Sequence, residues 1–249
     1  MGRAKKIKAH RDSLSGTRRR GRRCENERLR VEAILWIMRV GAPWRDLPEL
    51  FGPWQSTYGC FRSWTRAGLW PAILSALTER HRDDEYLMVD STAVRVHAHA
   101  ANPAGGQASQ AMGRSRAGLS TKIHLACDAL GYPLGFILTA AQVHDYHQAK
   151  PLLKAHLKPH ACVIMDKGYD GDSIRAYVNQ LGGSAAIALN SSRSTKPLFD
   201  QHLYRERHKI ENLFARLKTF RRIATRFEKL HSTFSAMLSL ACILIWLRF

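Results

Sequence analysis

The run Tyr86-Leu-Met-Val-Asp-Ser-Thr92 is a short apolar stretch that ends on a carboxylate, and Ala161-Cys-Val-Ile-Met-Asp166 repeats the pattern further along. Brief apolar runs of this kind read as strands buried on both faces, as in parallel sheets. Each run then delivers an aspartate, Asp90 or Asp166, at the point where the strand leaves the core; Val94 and Val96 extend the first strand. Between the two runs, Thr121 to Cys127 and Leu134 to Thr139 read as strands joined through the turn-forming stretch Asp128 to Pro133. A helix is expected over Gln148 to His156. Beyond Asp166 the pattern predicts a helix over Asp172 to Leu181, a strand over Ala185 to Leu189 and a long helix over Arg205 to Phe220. The order strand-strand-strand-helix-strand-helix-strand-helix predicts an α/β fold.

Upstream of Asp84 the period is helical. Leu29, Ala33, Ile34, Ile37 and Met38 share one face, with Gly41 placed to end the helix. Two more helices are expected, around Ser56 to Arg66 and from Pro71 to Arg80, where proline suits the first turn. Trp36, Trp44, Trp54, Trp64 and Trp70 raise the prospect of base stacking, but at helical spacing in a small helical unit they are read as core. Ala100 to Gly118, rich in small residues, reads as a flexible loop carrying Arg114 and Arg116. The apolar run Met237 to Leu247 is too short to span a bilayer and is read as part of a closing core helix from about Ser232. The expected organisation is a basic, disordered segment at residues 1–25, a small helical domain at 26–83 and an α/β domain at 84–249.

The chain has 249 residues, with Lys+Arg 39 against Asp+Glu 20 and a formal net charge of +19. Such an excess points to a polyanionic partner, nucleic acid before membrane, since no basic amphipathic helix stands out. Much of the charge crowds into the first residues, Lys5, Lys6, Lys8, Arg18, Arg19, Arg20, Arg22 and Arg23, a composition that suits a phosphate-binding arm. The five cysteines form no C-x-x-C pair, so reduced thiols are expected rather than a zinc ribbon or a disulfide framework. The basic N-terminus lacks the apolar stretch of a secretory signal, which predicts that the protein stays in the cytoplasm with the cell's DNA.

The long helix carries the most specific pattern. Tyr204, Arg207, Glu211 and Lys218 lie at offsets 3, 7 and 14 from the first of them, which on an α-helix places all four within about 60° of arc. A merely solvated polar face accounts for Arg207 and Lys218 but not for their coincidence with two strand-end aspartates.

These residues resemble the Y-x2-R-x3-E-x6-K signature of DDE insertion-sequence transposases of the insertion-sequence-five family. Val89-Asp-Ser-Thr92, Gly113-Arg-Ser-Arg-Ala-Gly118, Asp166-Lys-Gly-Tyr-Asp170, Phe220-Arg-Arg-Ile-Ala-Thr225 and Gly41-Ala-Pro-Trp-Arg-Asp-Leu-Pro48 are similar to the family's as well. The resemblance covers about Asn26 to Phe249. It implies a ribonuclease-H-like core, a mixed five-stranded sheet flanked by helices, with Asp90, Asp166 and Glu211 as catalytic and metal-binding carboxylates. The implied activity is cleavage and transfer of DNA strands at the ends of a bacterial mobile element. Implied partners are double-stranded DNA, as element ends and target, and a second copy of the chain to pair two ends. Three converging carboxylates suit two Mg²⁺ ions, with Mn²⁺ as substitute, because in-line displacement at phosphorus needs both attacking and leaving oxygens stabilised. Arg207 and Lys218 then read as phosphate clamps and Tyr204 as a contact to a terminal nucleotide. Arg114, Arg116 and Lys167 are expected DNA contacts.

Two other readings belong to different classes: a metal nuclease that cuts DNA without joining it, and an element product that occupies DNA ends without cutting. His144-Asp145 lacks partners for a metal phosphohydrolase, and His97 and His99 lack a third ligand.

Overall fold

The computed structural model describes residues 26–247 apart from 117, 192–196 and 198, so the basic segment at residues 1–25 lies outside the described residues. Seven strands form one sheet: β1 (Tyr86–Val96), β2 (Gly113–Ser115), β3 (Gly118–Cys127), β4 (Pro133–Ala140), β5 (Cys162–Met165), β6 (Ser184–Ile187) and β7 (Thr225–Arg226). Five of these are the expected strands. The short β2 and β7 add to them, and β2 falls in the stretch read as a flexible loop, which also holds a helical turn at Gly106–Ser109.

β1 is longer than its apolar start. Tyr86 to Asp90 are buried, and burial then becomes intermittent through Val94 and Val96. Asp90 thus sits mid-strand rather than at the strand's end, because β3 pairs antiparallel with β1 from Met88↔Cys127 to Arg95↔Ser120. β4 pairs the far edge of β3, while β5 and then β6 continue the sheet in parallel on the other side of β1. Pairing with β5 ends at Met88↔Ile164 and pairing with β7 begins at Arg95↔Thr225. Among the described residues no strand covers that edge of β1 between these points.

Helices pack on both faces: α1 (Glu27–Val40), α2 (Trp54–Arg66), α3 (Leu69–His81), α4 (Tyr146–His156), α5 (Asp172–Gln180), α6 (His208–Lys218) and α7 (His231–Trp246). Strand alternation sorts the side chains. Leu87, Val89, Val163 and Met165 meet α4 and α5 on one face, and Met88, Val94, Leu125 and Ile164 meet α6 and α7 on the other. α7 is buried without a break from Phe234 to Ile245 apart from half-buried Ser235, which bears out the core reading of its apolar run. No helix among the described residues is long and apolar enough to cross a membrane.

α1 to α3 share a hydrophobic cluster with α6 and α7: Ile34, Ile37, Phe61 and Leu74 are in it alongside Ile210 and Phe234. Gly41 ends α1 at φ 78°, and a Cβ there would lie 2.9 Å from Arg221 Cβ, so both backbone shape and close approach require glycine. Just beyond, the buried Arg222 donates to the Ala42 carbonyl at 2.6 Å, pairs with buried Glu228 and lies over the rings of Trp44 and Phe227. Removing one member of a buried pair strands the other. Arg222→Ala is therefore expected to lower unfolding free energy by about 3–5 kcal/mol, and Arg222→Met with Glu228→Leu by less. Urea titrations decide this: equal losses would mean that the stranded Glu228 charge contributes nothing.

Trp70 is buried as expected, whereas Trp36, Trp44, Trp54 and Trp64 are half-buried and only edge the cluster. Cys127, Cys162 and Cys242 are free thiols. Cys60 is disulfide-bonded, against the expectation of reduced thiols, since chain spacing does not report which cysteines the fold brings together.

Candidate active site beside two parallel strands

The β1/β5 pairs are Tyr86↔Cys162, Leu87↔Val163 and Met88↔Ile164, a constant offset of 162 − 86 = 76. The pairing stops there, but Asp90 lies two residues beyond Met88 and Asp166 two beyond Ile164 (166 − 90 = 76), and the Asp166 charge acts on Asp90, which turns to the α6 face to meet Arg207. Asp90 is 9% exposed; its Oδ1 accepts from the Ser91 N–H at 2.8 Å. Asp166 is half-buried and caps the 3₁₀ turn Lys167–Tyr169, accepting from the Gly168 N–H at 2.8 Å.

Glu211 arrives from α6 and is exposed. The expected long helix is broken ahead of it: Gln201–Tyr204 is one helical turn, Arg205–Arg207 is 3₁₀, and α6 starts at His208. The tightened turn coincides with a clamp in which Lys209 reaches Glu206 at 2.7 Å, the Tyr86 hydroxyl at 2.6 Å and the Ala129 carbonyl at 2.8 Å. The functional stripe survives the break. Arg207 donates through Nη2 to Asp90 Oδ2 at 2.6 Å and through Nη1 to Glu211 Oε1 at 2.5 Å, joining the two carboxylates across one guanidinium.

The charges are mutually dependent. Burial pushes the Asp90 carboxyl above its usual range; Arg207 and the Ser91 N–H oppose this, and the nearby Asp166 charge adds to it. For Arg207 burial works against the charge, but Asp90, Tyr204, Glu211 and Asp166 outweigh it and raise its value. Tyr204, half-buried, is raised by burial, with Arg207 opposing and Asp166, Asp90 and Glu211 adding to it. As the side chains stand, no group of three or more carboxylate, imidazole or thiol residues among the described residues is placed to hold a metal ion. Arg207 supplies the positive charge between Asp90 and Glu211.

Lys218, at the end of α6, donates to the Thr92 hydroxyl at 2.7 Å on the next same-face position of β1 after Asp90. Thr92 is the partner that sequence reading passed over; the two-residue strand period was the available signal. Lys167 is exposed directly after Asp166. Arg114 and Arg116 are exposed and distant: β2 pairs with the Leu119 end of β3, about 20 Å along the sheet from Leu125, the residue opposite Asp90. Asp145 pairs with Lys122 at 2.9 Å and lies 3.6 Å from His124. His97 accepts from the His99 N–H at 3.2 Å, and neither belongs to a metal cluster.

Comparison with known proteins decides the family. The model of the transposase DDE domain matches residues 81–246, a span that holds all three carboxylates. The chain belongs to the DDE transposase family. A second model, described as a putative transposase of the IS4/5 family, matches residues 6–74 and so begins within the basic segment. A putative transposase for insertion sequence element IS6501 from Brucella ovis is 44% identical over 131 residues, 52% of this chain and 100% of that one. One for IS402 from Burkholderia cepacia is 35% identical over 140 residues, 52% of this chain and 64% of that one. Among solved structures, a piggyBac transposase synaptic complex with hairpin DNA is similar at a TM-score of 0.49 and 10% identity, covering 95% of this chain and 70% of that one. A Mos1 transposase paired-end complex has a TM-score of 0.28 at 10% identity, over 90% and 88% of the two chains. The transposase sheet, three antiparallel strands followed by two parallel ones in the spatial order β4-β3-β1-β5-β6, is the mixed sheet of a ribonuclease-H-like core.

Proposed function

We propose that Asp90, Asp166 and Glu211 are the catalytic carboxylates of this transposase, which cuts and rejoins DNA strands at the ends of an insertion sequence. The carrying observation is that Arg207 ties Asp90 to Glu211 while Asp90 also feels the charge of Asp166. The donors are hard carboxylate oxygens, and the Asp166 charge disfavours that of Asp90, a donor set that suits Mg²⁺ or Mn²⁺. Two such ions held by the trio would stabilise the attacking and leaving oxygens of an in-line displacement. Arg207 and Lys218 grip phosphates of the reacting strand, and Tyr204 packs on a terminal nucleotide. Lys167, Arg114 and Arg116 extend the contact along the backbone, as do α1 to α3 and the basic segment. Two copies pair two element ends, and the protein works on the DNA of a bacterial cytoplasm. Incubation of purified protein with labelled element ends and Mg²⁺ tests the reading. Joined strands support it, cut ends alone point to a nuclease, and shifted bands alone point to a binding protein.

Arg207 cannot serve the phosphate and both carboxylates at once. Arg207→Ala is expected to bind Mn²⁺ about tenfold more tightly than wild type without DNA, because a competing cation with two charge-assisted hydrogen bonds is gone. Calorimetric titration reads this directly, and equal affinities would show that the guanidinium does not compete.

A further inference from the structure

The tryptophans set aside as core leave something over. Trp44 and Trp54 are half-buried because they line a cleft of about 920 Å³ between the segment Gly41 to Arg62 and the point where the chain leaves β1 at His97. Its walls are aromatic: Tyr58 and Phe227 join the two indoles. Its free charge is positive. Glu228, the cleft's carboxylate, is already paired with Arg222, whereas Arg45, Arg62 and Lys229 also line the cleft and no salt bridge engages them among the described residues. Two of these cations lie near rings, Arg45 at 6.0 Å from the Trp54 centroid and Arg62 at 5.8 Å from that of Tyr58.

Aromatic faces beside cations recognise a planar π-system that carries an anion, the pattern by which proteins hold the bases of single-stranded nucleic acid. The cleft volume lies within the usual range for a ligand of nucleotide size. A base stacked inside a duplex cannot present its face to a ring. We propose that this cleft binds one unpaired nucleotide of the DNA, with its base against Trp54 and Tyr58 and its phosphate held by Arg45 or Arg62. The proposal rests on the reading that the chain acts on DNA. It places a second nucleotide contact well away from the carboxylates. His97 follows Asp90 by seven residues of extended chain, about 23 Å, or six to seven nucleotides of a B-form strand. Lys218, held by Thr92, stands between the two sites.

The test uses full-length protein and three probes of equal length: a deoxythymidine strand, the same strand with abasic sugars, and a perfect duplex. Wild type is expected to bind the deoxythymidine strand about tenfold more tightly than the abasic one, since stacking is lost without bases. Trp54→Leu and Tyr58→Leu, which keep apolar bulk, are expected to erase that ratio, with a smaller loss on duplex than on the deoxythymidine strand, because phosphate contacts dominate on duplex. If either variant unfolds, Arg45→Ala with Arg62→Ala replaces it, with a loss on both single strands exceeding that on duplex. Equal wild-type affinity for thymidine and abasic strands overturns the proposal, as does an unchanged ratio in the leucine variants. Failure of wild type to bind any of the three DNAs overturns the DNA reading as well, so the two failures are distinct.

Discussion

Asp90→Asn is expected to cut labelled element ends at least about a thousandfold more slowly than wild type in Mg²⁺, since loss of a metal-binding charge removes several kcal/mol of transition-state stabilisation. Duplex affinity should stay within about threefold, because it is carried by cations contacting phosphates, and the formal net charge of +19 is barely altered. Asp166→Asn and Glu211→Gln should behave alike. Misfolding is separable from catalysis here. Burial holds the folded Asp90 carboxyl above its usual range, with Asp166 adding and Arg207 opposing. The associated stability is therefore present below the unfolded value and lost as pH rises through the folded one. At neutral pH the charged form is the costly one, so the neutral amide should melt no earlier than wild type without metal. Cutting that persists in any of the three variants removes that residue from the active site.

The second large effect is acid unfolding. Burial pushes His124 and His156 each down to about 4; Lys122 adds to the first against Asp145, and Arg82 adds to the second. His124 has no exposed surface, and its Nε2 shares a hydrogen bond with the Thr139 hydroxyl at 2.8 Å. Both rings stay neutral in the fold at a pH where an unfolded chain would protonate them. A depressed histidine contributes stability that is fully present above its ordinary value of 6.5 and is lost as pH falls toward about 4. In that window each group costs about 1.4 kcal/mol per pH unit, about 2.7 kcal/mol for the pair, a steep loss against a total stability of about 5–15 kcal/mol. Urea unfolding measured between pH 7 and pH 4 should flatten in the double variant His124→Asn with His156→Gln. Parallel curves for wild type and variant would assign the acid sensitivity to other groups.

Some of this was written locally. An apolar run buried on both faces announces a strand wherever it falls, so the strands around Val89 and Ile164 and the aspartates that follow them were legible one at a time. The stripe from Tyr204 to Lys218 was legible because helical periodicity is a property of neighbouring residues. The stripe even outlived the 3₁₀ break at Arg205–Arg207, since the bond from Arg207 to Glu211 spans a single turn. The long reach of β1 past Asp90 was less legible, because residues beyond it are only partly buried and owe their extended shape to pairing with β3.

What the sequence determined by itself is therefore the kind of element at each place and the chemical types it carries: strands ending near carboxylates, a helix with a tyrosine, two cations and a glutamate on one side, and a strong excess of positive charge. Which of these meet was settled by packing. The Asp166 charge reaches Asp90 because the strands that precede them, far apart in the chain, pair in parallel, and Arg207 bridges Asp90 to Glu211 because α6 packs on that face. The same packing left Arg114 and Arg116 away from the carboxylates and opened a cleft beside Trp44 and Trp54. The physical reason is range. Backbone periodicity and burial preference act over a few residues and are readable in order, whereas strand register and helix docking are settled by the summed burial of side chains from the whole chain.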